Sequence, residues 1–188
     1  MAAIETVQIG QFMASAAIAA MAVTPVATQS VVSDGADGAS NAVADSVVGI
    51  LSFTRWPRAA DPIRLCLTGQ SPWTGRIEGR QLVAGQALTI ARREPAAVAE
   101  EISGCDAVYL GRLPMADRRR LIAAAANQAV VTITDADPPC LSGTMFCLRM
   151  TEAGLVFDLN LDAVSRSRVR VDPRVLSMAA GARREVRP

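Results

Sequence analysis

An α/β fold is expected from this chain: a single Rossmann-like domain with a mostly parallel central sheet, helices on both faces, an antiparallel hairpin toward the carboxyl end and a final helix packing back. Three features carry the expectation. Short apolar strands alternate with helical patterns four times between residues 41 and 133, the arrangement of βα units whose sheet is covered on both sides. Two further strand patterns, residues 145–150 and 155–161, flank Thr151-Glu152-Ala153-Gly154, a turn with Gly at its end. Residues 157–180, FDLNLDAVSRSRVRVDPRVLSMAA, then pass from strand through a polar elbow into a capped helix.

Taken in order, residues 11–27 form an apolar run of signal-peptide length that ends in small residues, so residues 1–28 are read as a cleaved export signal. The run is too short and too rich in Ala to read as a spanning helix. Residues 1–10 carry Glu5 and no basic residue, a departure from the usual basic lead of such signals. Residues 29–40, rich in Ser, Gly, Asp and Ala, are a flexible lead-in. The domain is placed at 41–182 and a solvated tail at 183–188. Residues 41–53 read as a helix with Val43, Val47, Val48, Ile50 and Leu51 on its apolar face. Trp56-Pro57 ends it, because the residue before Pro avoids the α region. This leaves Arg55 and Trp56 at a helix end near the surface.

Residues 63–67 are the first strand, and 71–82 a loop with a short helix. Residues 87–91 are a second strand, 95–102 a short helix opened by Pro95, and 107–110 a third strand. Residues 114–126 form a strong helix with Leu121 and Ile122 inward and Arg118, Arg119 and Arg120 largely outward. Residues 129–133 are the fourth strand, and Asp135 and Asp137 after it are turn formers. In the last segment Phe157, Leu159 and Leu161 alternate with Asp158, Asn160 and Asp162 as in a half-buried strand. Ser165-Arg166-Ser167-Arg168 is the elbow, and Val169-Arg170-Val171 a second short alternation. Asp172 stands at an N-cap with Pro173 at the first helical position. Val175, Leu176, Ala179 and Ala180 follow at helical spacing, and Gly181 can close the helix.

The 188 residues carry a net charge of +1, which argues against generic nucleic-acid binding. All 19 basic residues are Arg; the chain has no Lys and no His. That removes Ser-His-Asp and Cys-His catalysis, a Schiff-base or P-loop lysine and any histidine metal site. The basic residues are unevenly placed. Residues 1–54 hold Glu5, Asp34, Asp37 and Asp45 and no base, whereas 164–188 hold seven Arg against Asp172 and Glu185. This is either a solvated basic end or a surface for an acidic partner.

Other chemical motifs fail on spacing. Gly69, Gly75 and Gly79 do not make a nucleotide fingerprint. Asp158, Asn160 and Asp162 begin like a calcium loop but lack its Gly and its closing Glu. As a carboxylate pair, Asp158 and Asp162 would sit on one strand face roughly 13 Å apart by strand rise, too far for glycosidase chemistry. Cys66, Cys105, Cys140 and Cys147 contain no C-x-x-C and no second close pair to complete a zinc site, so disulfides are the simpler reading beside an export signal. Cys140 and Cys147 are the easier pair, since they bracket the residues where the chain turns into the hairpin. No cofactor and no enzymatic activity is expected.

Two motifs together carry a family resemblance. One is Asn160-Leu161-Asp162-Ala163-Val164-Ser165-Arg166-Ser167-Arg168-Val169-Arg170-Val171-Asp172-Pro173-Arg174-Val175-Leu176. The other is Gly49-Ile50-Leu51-Ser52-Phe53-Thr54-Arg55-Trp56-Pro57, followed by Leu65-Cys66. From about residue 47 to 180 the chain resembles the periplasmic YfiR proteins. Arg168 stands where that pattern commonly has Gly, adding charge and a Cβ to the elbow. The resemblance implies the Cys140–Cys147 pair and a Cys66–Cys105 pair, which adjacent strands could bring together. It implies a periplasmic repressor that binds the periplasmic sensor domain of an inner-membrane diguanylate cyclase, keeps cyclic di-GMP low and limits biofilm. It is compatible with a homodimer. On this reading Asp158, Val164, Arg166, Arg168 and Arg170 contact the partner, and loss of a disulfide or envelope stress releases it. The alternative is a small-ligand sensor, with Arg55 and Trp56 offering a guanidinium and a stacking face at the carboxyl ends of the strands.

Overall fold

The computed structural model describes residues 36–181, apart from Ala84, Pro138, Pro139 and Ala153. The expected export signal and carboxyl-terminal tail lie outside these residues. Helix α1 (Ala36–Ser52) begins inside the stretch read as lead-in. Its apolar stripe, Val43, Val47, Ile50 and Leu51, is fully buried, and each such side chain stabilises the fold by about 1.5–3 kcal/mol relative to exposure. At its end the Thr54 hydroxyl donates to the Ile50 carbonyl at 2.8 Å, taking up one of the last free acceptors of the helix.

Six strands form the main sheet: β2 (Ile63–Thr68), β3 (Leu88–Arg92), β4 (Ala107–Leu110), β5 (Val131–Thr134), β6 (Phe146–Thr151) and β7 (Gly154–Leu159). A two-residue strand, β1 (Thr54–Arg55), lies outside it. The sheet order is β3-β2-β4-β5-β6-β7. All neighbours are parallel except β6 and β7, the antiparallel hairpin. Strands β4 and β5 are buried at every position, which is why β4 reads as a continuous apolar run rather than as an alternation; in β5 the buried Thr132 and Thr134 alternate with Val131 and Ile133.

The two faces are filled differently. Leu65, Leu67, Tyr109 and Ile133 belong with the residues of α1. Cys66, Val108 and Leu110 belong with Val98 of α2 (Pro95–Glu100) and Leu121 of α3 (Met115–Ala125). The mostly parallel sheet with helices on both faces and a closing antiparallel hairpin is thus the expected architecture. Two disulfides cross it. Cys66 and Cys105 join across the start of β4 with Cα atoms 5.8 Å apart, and Cys140 and Cys147 join with Cα atoms 5.5 Å apart.

Arg118 departs from expectation. It is 4% exposed, because positions 118, 121 and 125 share the inward stripe of α3. Its guanidinium sits where β4 and β5 end, donating to the Thr134 hydroxyl and the Gly111 carbonyl, each at 3.2 Å. Arg119 and Arg120 are exposed as expected.

The last segment departs further. Strand β7 stops at Leu159, and residues Leu161–Ser165 form a short helix, α4. The Asn160 side chain accepts the Ala163 N–H at 2.9 Å, an N-cap that ends the strand. Leu161, read as a buried strand position, is 70% exposed. Asp162 is helical, so it shares no strand face with Asp158. Strand β8 (Arg170–Val171) and helix α5 (Val175–Gly181) follow. Asp172 accepts the Arg174 N–H at 2.9 Å, but α5 starts only at Val175, so Asp172 and Pro173 form a turn ahead of the helix instead of its N-cap and first position. In α5, Val175 is buried but Leu176 is exposed, so the inward stripe is narrower than the spacing implies.

Candidate functional site: an arginine-bearing corner

The elbow is held at both ends. At its start the Asn160 side chain caps α4, and its Nδ2 also donates to the Cys140 carbonyl at 3.4 Å. At its middle the Arg168 N–H donates to the Gln128 carbonyl at 3.0 Å. At its end β8 pairs antiparallel with β1, placing Thr54 opposite Val171 and Arg55 opposite Arg170. Val169 between them is buried and anchors the loop. The two motifs that lie more than a hundred residues apart in sequence are therefore hydrogen-bonded neighbours.

The structure sorts the elbow residues. Arg168 and Arg170 are exposed and have no carboxylate partner among the described residues. Arg166 is exposed but ion-paired with Asp162 one helical turn earlier, at 2.6 Å. Asp158 is half-buried and ion-paired with Arg149 across the hairpin at 3.2 Å. Val164 is half-buried against the main core. The five expected contact residues thus do not form one free surface, and only Arg168 and Arg170 present unneutralised charge.

Arg55 is exposed and turned back on its own helix end, its Nη1 donating to the Ser52 and Thr54 carbonyls at 2.8 and 2.9 Å. Trp56 is half-buried against the core and donates its Nε1–H to the Asp106 carbonyl at 3.0 Å. Asp106, 8% exposed, also grips Arg64: its carboxylate accepts the Arg64 N–H at 2.9 Å and the guanidinium at 3.0 and 3.1 Å. Beside this knot runs a cleft of about 540 Å³ lined by Trp56, Arg58, Asp61, Arg64, Asp106 and Arg168, among others. Among the described residues Arg58 and Arg168 are its cations without a carboxylate partner.

This cleft lies at the amino-terminal ends of β2, β4 and β5, since Arg64, Asp106 and Val130 stand at or just before those strand starts. The expectation that Arg55 and Trp56 serve the carboxyl ends of the strands is therefore wrong in place. The cause is the length of the connection from α1, which returns to the rim where β2 begins.

On the far side of β8, Arg174 stacks over the Phe53 ring at 5.6 Å. Its side chain and backbone N–H bond the Asp172 carboxylate, which holds that group well below its ordinary value, at about 2. Arg174 is thus already engaged. Sequence reasoning missed Arg58, Arg64 and Asp106. Asp106 directly follows a cysteine expected to be bridged, which was a usable signal; the pairing of β1 with β8 had none beyond two short alternations. No group of three or more Cys, Asp or Glu among the described residues is placed to hold a metal ion. A protein-family model described as YfiR/HmsC-like matches residues 40–180.

Proposed function

Because the chain belongs to the YfiR/HmsC-like family, we propose that it is a periplasmic regulator that binds the periplasmic sensor domain of an inner-membrane diguanylate cyclase and represses cyclic di-GMP synthesis. It acts by holding a partner rather than by turnover. The observation that carries the reading is the fixed corner: Arg168 and Arg170 stand exposed, without a carboxylate partner among the described residues, on a loop pinned by a helix cap, a backbone hydrogen bond and a strand pair. A rigid display of unneutralised guanidinium groups suits bidentate recognition of carboxylates on an acidic partner and loses little entropy on docking. Two disulfides agree with an oxidising compartment. No helix among the described residues is long and apolar enough to cross a membrane.

Charge reversal of Arg168 and Arg170 together should abolish capture by the cyclase's periplasmic domain, whereas reversal of Arg166, already bound to Asp162, should matter less. Full binding by the Arg168→Glu/Arg170→Glu protein would remove the corner as the contact. The export signal at residues 1–28 belongs to this proposal, and an intact Met1 on periplasmic protein would refute it.

The cleft beside the corner favours a second reading, a small-ligand input to the same regulator. Trp56 supplies a ring, and Arg58 and Arg168 supply charge for an anionic aromatic molecule. Indole carboxylates should quench Trp56 emission, and Arg168→Ala should remove the effect. No quenching in the parent protein would end this reading.

A further inference from the structure

A second cleft, of about 860 Å³, lies at the opposite rim of the sheet, over the carboxyl ends of β2, β3 and β4. Its position follows from the topology. The chain leaves β2 to form β3 on one side, then returns to form β4 on the other, giving the order β3-β2-β4. Between β2 and β4 the connections diverge, and parallel α/β sheets bind ligands in the crevice such a divergence opens. Here Thr68 and Leu110 end the two strands in register.

The floor of this crevice holds two buried hydroxyls, Thr68 Oγ1 and Tyr109 Oη, on residues only 3% and 1% exposed that both line the cleft. Among the described residues neither meets a partner in good hydrogen-bond geometry, although Ser71 and Asp135 stand close enough to act on the phenol. Such groups are costly to bury unmatched. Ser71 and Asp135 lie near the phenol but hydrogen-bond to each other at 2.5 Å. Burial, reinforced by the Asp135 charge, keeps the phenol far above its ordinary titration range, so it is a neutral donor.

The walls are basic. Arg92 and Arg112 line the cleft and have no carboxylate partner among the described residues; the Arg92 guanidinium reaches only the Thr74 hydroxyl at 3.5 Å. Arg93 is paired with Glu101, and the carboxylates of Glu94 and Asp117 belong to residues that also line the cleft. Arg112 is held by a two-way backbone bridge, donating to the Gln70 carbonyl at 2.7 Å and accepting from its N–H at 3.2 Å. That bridge needs glycine on both sides. Gly69 has φ +74°, and a Cβ on Gly111 would lie 2.5 Å from the Gln70 carbonyl oxygen.

We propose that this crevice is a binding site for a small oxyanion-bearing molecule, a phosphate or carboxylate compound whose acid group lies between Arg92 and Arg112 and whose acceptors reach the Thr68 and Tyr109 hydroxyls. It is separate from the corner and does not depend on the regulatory reading. The full chain, isotope-labelled, is titrated at low salt with inorganic phosphate, pyrophosphate and citrate and followed by amide resonances. The phosphate and citrate arms tell the two acid classes apart. At least one probe should shift the Gly69, Gly111 and Arg112 amides saturably, with little change at residues 168–170. Arg92→Gln and Arg112→Gln should each weaken that probe about tenfold, the loss expected for a hydrogen bond to a charged group. Tyr109→Phe should weaken it severalfold while leaving the thermal midpoint of the unliganded protein unchanged or raised. The inference is overturned if no probe saturates by about 10 mM, if shifts gather at residues 168–170 instead, or if the Arg92→Gln/Arg112→Gln protein binds like the parent. A Tyr109→Phe protein with a lowered midpoint and intact affinity also overturns it.

Discussion

Replacing Asn160 by Ala isolates the residue on which the last third of the fold turns. Its Oδ1 accepts the Ala163 N–H at 2.9 Å, and its Nδ2 donates to the Cys140 carbonyl at 3.4 Å. Its backbone bonds, N–H to the Met145 carbonyl and carbonyl from the Val164 N–H, survive the change. Loss of an N-cap costs about 1 kcal/mol. The longer amide contact adds about 0.5 kcal/mol, the low end for a neutral hydrogen bond. Urea unfolding should therefore show Asn160→Ala less stable by about 1.5 kcal/mol with an unchanged denaturant slope. Asn160→Asp keeps the acceptor and adds a favourable charge at the helix start, so it should lose less than half as much. If β7 instead ran through Leu161, as the alternation suggests, Ala at 160 would cost nothing, since Asn is a poor strand residue. A difference within about 0.3 kcal/mol, below the usual range for a lost cap, would refute the capped-helix account.

Three further outcomes follow from the geometry. Removing the Cys66–Cys105 bond with paired Ala should cost about 4 kcal/mol and removing Cys140–Cys147 about 2.5 kcal/mol in the chain-entropy model, because the closed loops differ in length; equal losses in chemical denaturation would contradict it. Arg118→Gln should destabilise by about 2–4 kcal/mol by breaking charge-assisted bonds at two buried acceptors, and a neutral result in thermal unfolding would show that they find other donors. Asp172 should titrate by carboxyl NMR at about 2. Because its folded value lies below the unfolded one, near 3.9, its contribution is present above that value and is lost as pH falls toward 2. Arg174→Ala should move the midpoint up toward 3.8, and an unmoved midpoint would exclude Arg174 as the cause.

The main sheet was legible because strands buried on both faces announce themselves as apolar runs, as 107–110 does for β4. Helix α1 was legible because four large apolar side chains share one stripe. The elbow misled because Leu159, Asn160 and Leu161 fit strand alternation equally well, and the cap that breaks it is a local bond between Asn160 and Ala163. Arg118 misled because helical spacing alone does not reveal that one position of a buried stripe faces backbone carbonyls rather than other side chains.

The sequence by itself determined the order of the main-sheet strands and their helices, the covered parallel sheet, the exclusion of histidine and lysine chemistry and the two motifs that mark the family. These depend on residue type and on spacings of a few positions, which local sterics and the drive to bury apolar surface act on directly. Only the tertiary structure decided which arginines are free. Arg166, Arg168, Arg170 and Arg174 look alike in the chain, yet Asp162 and Asp172 neutralise two of them while the pairing of β1 with β8 leaves the others bare. Only it, likewise, set two clefts at opposite rims of the sheet. Strand order rests on contacts between residues remote in the chain, which exist only once the backbone has closed on itself; the pairs of Arg166 and Arg174 are close in sequence but need the helix and the turn that replace the expected strand alternation.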